Sequence, residues 1–77
     1  PVNKGSVISV FPNPSAGLFQ LDQLPKDSKI ACLDLFGHTV FQTISSQKSI
    51  QIDLKFLPKG FYLLTVNGSF AEKILIE

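Results

Sequence analysis

Seven short runs rich in Val, Ile, Leu and Phe, separated by turn-forming residues, leave this chain little choice of fold. They lie at residues 7–11, 17–22, 29–34, 39–44, 49–54, 61–66 and 70–76. Pro12, Asn13, Pro14 and Gly17 break the gap after the first run, Pro25 to Ser28 that after the second, and Asp34 to Gly37 that after the third. Strands recurring every ~8 to 12 residues, with no helical period between them, pair antiparallel, because parallel pairing needs long crossovers. The expected fold is all-β: a seven-stranded antiparallel Ig-like (Greek-key) β-sandwich.

Packing has to hold it together. A chain of 77 residues is near the size at which folding buries only about 60% of the surface the unfolded chain exposes. Cys32 is the only cysteine, so no internal disulfide is available. It shares a strand face with Ile30 and reads as a small buried hydrophobe, not a nucleophile. The seven Phe and one Tyr are expected to be the main core filler, with Phe36 in a turn and Phe56 in a connection the most exposed.

Local patterns sharpen three connections. Asp34-Leu35-Phe36-Gly37 has an Asp to cap a type I turn and a Gly to take the positive φ that follows, giving a tight hairpin. From Asp53 to Gly60 a single helical turn is expected, capped by Asp53 and stopped by Pro58 and Gly60, with Leu54 and Leu57 plugging one end of the sandwich. In the last hairpin, a two-residue Asn67-Gly68 turn would pair Val66 with Ser69 and mix the faces. A three-residue loop with Gly68 as a left-handed bulge is the expected alternative. It pairs Thr65 with Ser69 and aligns Tyr62 and Leu64 with Phe70, Ile74 and Ile76.

Reactive chemistry finds little to work with. The net charge is +1 and seven lysines, with no arginine, are scattered from Lys4 to Lys73, so nothing builds a stripe for nucleic acid. Asp22, Asp27, Asp34 and Asp53 stand where an Asp caps or bends the backbone. His38 has no second ligand at metal spacing and reads as solvent-exposed. No catalytic residue, metal or cofactor is expected. No apolar run approaches the ~20 residues of a membrane-spanning helix. A start at Pro1 and not Met reads as a piece of a longer precursor, with residues 1–6 ending a linker from an upstream segment and residues 7–77 forming the domain.

Taken in order, Val10-Phe11-Pro12-Asn13-Pro14-Ser15 with Gly17 and Phe19, then Leu33-Asp34-Leu35-Phe36-Gly37 with Val40, form a recognisable set. Ile52-Asp53-Leu54, Leu57-Pro58-Lys59-Gly60-Phe61-Tyr62-Leu63-Leu64 and Lys73-Ile74-Leu75-Ile76 complete it. The ordered set resembles the type IX secretion system (Por secretion system) C-terminal sorting domain, type A. Members often end in Lys or Arg, where this chain ends in Glu77, and have Arg after the turn glycine, where His38 stands.

The resemblance implies a domain that directs a larger cargo across the periplasm of a Gram-negative bacterium. The outer-membrane type IX translocon then recognises it, a cell-surface sortase-like protease usually cuts it off upstream of the first strand, and the cargo stays at the cell surface or is released outside the cell. Carried over by position, Asp34 and Gly37 make a recognised turn, and Lys73, Ile74, Leu75, Ile76 and Glu77 form the terminal signal. Pro12, Asn13, Pro14, Gly17, Asp53, Gly60, Asn67 and Gly68 shape turns. The last strand is expected to offer a free edge to a partner strand. The alternative is an extracellular Ig-like accessory module binding carbohydrate or protein, and edge strands also permit self-association.

Overall fold

The computed structural model describes residues 8–77; the expected linker at residues 1–6, and Val7, lie outside the described residues. Alternation dictates the strands. In β2 (Leu18–Asp22) Phe19 and Leu21 turn inward between exposed or half-buried Leu18, Gln20 and Asp22. In β3 (Ser28–Leu33) Ser28, Ile30 and Cys32 do the same. A run with one apolar face is stable only when that face meets another layer, and two sheets result.

With β1 (Ser9–Phe11), β4 (Thr39–Ser45), β5 (Ile50–Asp53), β6 (Gly60–Val66) and β7 (Ser69–Ile76), the strands order as β1-β2-β5 in one sheet and β4-β3-β6-β7 in the other, every ladder antiparallel. The chain crosses between sheets after β2, β4 and β5, as a Greek-key sandwich requires. All seven expected runs are strands, with ends shifted by a residue or two.

The core is more aliphatic than expected. Leu21, Ile30, Ile52, Leu54, Leu64 and Ile74 are fully enclosed or nearly so, and among the phenylalanines only Phe19 is. Phe11, Phe61 and Phe70 are exposed along with Phe36 and Phe56. Phe61 flanks inward Tyr62 on β6, so strand alternation turns it to the outer face whatever its hydrophobicity.

Two connections differ from expectation. From Asp53 onward no helix forms: Leu57 donates its N–H to the Leu54 carbonyl at 3.0 Å, closing one turn that Pro58 cannot extend. Asp53 Oδ1 accepts the Lys55 N–H at 3.0 Å, Leu54 is buried, and Leu57 packs half-buried against the core.

The last hairpin uses the two-residue turn, with Val66 opposite Ser69 and positive φ at Asn67 (54°) and Gly68 (83°). That pair suits a turn whose twist matches the strands. The face problem is solved farther along: Thr65 faces Phe70 but Leu64 faces Glu72, so Ala71 is an extra residue in β7. The bulge returns Ile74 and Ile76 to the core beside Tyr62 and Leu64 and leaves Phe70 outside.

Candidate functional site

One end of the sandwich gathers the hairpin tip at residues 34–38, the connection at residues 54–59, the segment at residues 12–17 and the end of β7. The ladders require it. Leu33 pairs with Leu63 and Gly60 with Ile76, so the tip of β3 and the finish of β7 flank the start of β6. Leu18 pairs with Asp53, bringing the other two connections to the same end.

The hairpin tip is organised by Asp34. Its N–H donates to the His38 carbonyl at 2.9 Å and its carbonyl accepts the Gly37 N–H at 3.1 Å. Its carboxylate accepts the Phe36 and His38 N–H groups, each at 2.9 Å. Gly37 takes φ 91°, the left-handed step that closes a three-residue loop on a type I turn. The His38 amide above all, then that of Phe36 and the imidazole, holds the Asp34 carboxyl below the usual aspartate range. With Asp34 turned back on the chain, what projects is apolar: Leu35 is 60% and Phe36 87% exposed.

The finish of β7 carries a second construction. Asn13 lies alongside the outer edge and uses its carboxamide as a strand uses its backbone. Nδ2 donates to the Lys73 carbonyl at 2.9 Å and to Glu72 Oε2 at 3.2 Å, while Oδ1 accepts the Leu75 N–H at 3.1 Å. Two residues on, Ser15 continues as a parallel bridge to Ile76: its N–H reaches the Leu75 carbonyl at 3.1 Å and its carbonyl accepts the Glu77 N–H at 2.8 Å. Asn13 reaches β7 through its side chain and Ser15 through its main chain, while Pro12 and Pro14, before and between them, have no N–H to give. The outward main chain of Lys73, Leu75 and Glu77 is therefore not free, contrary to expectation: the Asn13 side chain and the Ser15 main chain occupy it.

Within β7, period two divides the terminal residues. Ile74 and Ile76 are core, while Lys73 and Glu77 are exposed and Leu75 half-buried. Lys73 lies with its ammonium 4.5 Å from the centre of the Phe61 ring, a cation–π contact on the outer face.

Gly17 is required by contact. A Cβ there would sit 2.7 to 2.9 Å from Lys55 atoms, two of them main chain, and φ is 132°. This close approach lets the Leu54 N–H reach the Gly17 carbonyl at 2.7 Å. Of the other turn-shaping residues, Gly60 has φ 146° at the first position of β6.

Elsewhere the titratable groups serve structure. Burial pushes the Cys32 thiol up to about 11. Burial also raises the Tyr62 phenol, whose hydroxyl donates to the Pro58 carbonyl at 2.7 Å. Ser49 foremost, then Gln20, donates to Asp22 and lowers its carboxyl. His38 is 77% exposed beside Asp34.

A family model described as a secretion system C-terminal sorting domain matches residues 9–77, the whole sandwich. The chain belongs to this family. Sorting domains of the family are the C-terminal signals by which type IX secretion exports proteins to the cell surface or the extracellular space, so this domain directs a cargo and is read by the secretion machinery. The family is not a catalytic one, and the accessory-module alternative is not favoured. No curated protein matches the chain. Of the sorting-domain features, sequence reasoning missed the clasp on β7. Its one local signal was the alternation of Pro12, Asn13, Pro14 and Ser15.

Proposed function

We propose that the end of the sandwich carrying the 34–38 turn and the finish of β7 is the surface that the outer-membrane type IX translocon reads. The turn, with Asp34 and Gly37 setting its shape and Leu35 and Phe36 at its tip, is one element. Lys73, Leu75 and Glu77 are the other, and Ile74 and Ile76 act indirectly by seating them. A single observation supports this reading: two segments about forty residues apart in sequence stand on either side of β6, within about 10 Å by strand spacing. Because residues 12–15 already cover the β7 edge, recognition is by side chains and turn shape, not by adding a strand.

In this reading the cargo lies upstream and the domain folds during periplasmic transit. A sortase-like protease then cuts before β1, and the domain performs no catalysis of its own. The test is a reporter fused ahead of the domain in a type IX-competent host, with surface and culture-fluid reporter measured against cell-retained reporter. Deleting the last five residues should abolish export. That deletion also removes core residues Ile74 and Ile76, so Leu35→Ser/Phe36→Ser serves as the second variant, altering exposed positions only. Export unchanged in a folded Leu35→Ser/Phe36→Ser domain would refute the reading.

A further inference from the structure

Three of the four sheet margins among the described residues are guarded. β7 is covered by residues 12–15 and broken by the Ala71 bulge, and β1 and β5 are three and four residues long. Short strands, bulges and covering segments are devices by which natural edges refuse partners. β4 has a bulge only at its start, between the Phe41 and Thr39 pairings. Its seven residues, Thr-Val-Phe-Gln-Thr-Ile-Ser, contain no charge and no proline.

Which β4 groups are unpaired follows from β3. Lys29 accepts the Asn67 N–H at 2.8 Å and donates to Asn67 Oδ1 at 2.9 Å, so its main chain faces β6. By alternation Ile30 and Cys32 face β4 and bond Thr43 and Phe41, their partners across the ladder. Gln42 and Ile44 then direct N–H and C=O away from the sheet. Both side chains are exposed, Ile44 by 68%.

We propose that β4 pairs antiparallel with β4 of a second copy of this chain, about a two-fold axis at Thr43. In that register Gln42 lies opposite Ile44 of the second copy and the reverse, each pair exchanging two main-chain hydrogen bonds. Thr43 meets Thr43, and Phe41 meets Ser45. The two Ile44 side chains become diagonal neighbours on the outer face, close enough to shield one another. A second copy suits this edge because the segment is uncharged: self-pairing sets no like charges opposite each other, and the edge has no charge with which to select a different strand. Each outward group meets its own complement, as an isologous contact demands.

An interface of two short strands lies below the standard size, so association is weak and appears on concentration. Sedimentation velocity of the folded domain from about 10 μM to about 1 mM should show the mass rising from 8.5 kDa toward twice that value. Ile44→Lys and Gln42→Pro, the latter removing only an outward N–H, should each hold it at the monomer with an unchanged far-ultraviolet spectrum. Thr43→Cys should form a disulfide-linked dimer under mild oxidation while buried Cys32 does not. A wild-type domain that stays monomeric throughout would overturn the proposal. So would a dimer that survives both Ile44→Lys and Gln42→Pro.

Discussion

Replacing Asn13 by alanine isolates the clasp that holds residues 12–15 against the last strand. The change removes two hydrogen bonds to β7 main chain, at 2.9 Å to Lys73 and 3.1 Å from Leu75, and one at 3.2 Å to the Glu72 carboxylate. All three are exposed, so water can replace the lost partner and each main-chain bond is worth about 0.5 to 1 kcal/mol net, the lower part of the usual range. The loss is then roughly 1 to 2 kcal/mol, against a total of roughly 4 to 11 kcal/mol for a domain of this length. With a urea m-value of about 1 kcal/mol/M, as small domains show, the midpoint falls by about 1 M or more. Hydrogen exchange adds a local readout: the Leu75 amide, which loses its acceptor, should lose more protection than the Cys32 and Leu64 amides, which feel only the global change. A midpoint that moves by less than about 0.3 M, with Leu75 protection intact, would show that the clasp contributes nothing and that the parallel bridge at Ser15 holds the segment alone.

Three other outcomes follow from the same geometry. Gly17→Ala should destabilise the domain more than Gly37→Ala in denaturant titrations, because both have positive φ but only Gly17 is also pressed against the Lys55 main chain; left-handed strain alone costs about 1 to 2 kcal/mol. Hydrogen bonds, from the His38 amide foremost at Asp34 and from Ser49 foremost at Asp22, hold both carboxyls below the usual aspartate range, so their stabilisation is present above the unfolded pKa and lost as pH falls through the folded values. Acid titration of stability below about pH 4 should flatten in Asp34→Asn. The Cys32 thiol, buried with its pKa near 11, should resist a thiol reagent at pH 8 in the native domain and react fully in denaturant; rapid native reaction would contradict its enclosure.

What could be read in advance is what depends on neighbours in sequence. Period-two alternation of Phe19 with Leu21 and of Ile30 with Cys32 gives strands, and turn residues give their ends. The Asp34 hairpin is legible because donor, acceptor and glycine lie within five residues. The clasp is not, because Asn13 meets β7 from 59 to 62 residues away, and Pro-Asn-Pro is locally only a turn. The register of the last hairpin is hidden for a different reason. Asn67-Gly68 does form the turn its residues favour, and the conflict between faces is absorbed at Ala71, a residue with nothing local to mark it as a bulge. Phe36 and Phe56 are exposed as expected, but Phe11, Phe61 and Phe70 join them outside the core, because composition cannot say on which side of a strand a residue falls.

The division within β7 bears on how a terminal signal works in a folded domain. Ile74 and Ile76 are enclosed and cannot touch a partner while the sandwich is intact; Lys73 and Glu77 can, and Leu75 partly. Truncating the tail therefore mixes two effects, since losing buried isoleucines costs about 2 to 5 kcal/mol each even as alanine, a large share of what so small a domain possesses. The clasp tightens this coupling, because the outward main chain of Lys73, Leu75 and Glu77 is held by Asn13 and Ser15 from the chain's other end. Any disturbance of the first loop thus reaches the last strand. If the translocon reads Lys73, Leu75 and Glu77 as proposed, it would also read whether the sandwich has closed, and one surface would report both the identity of the signal and the completion of its folding.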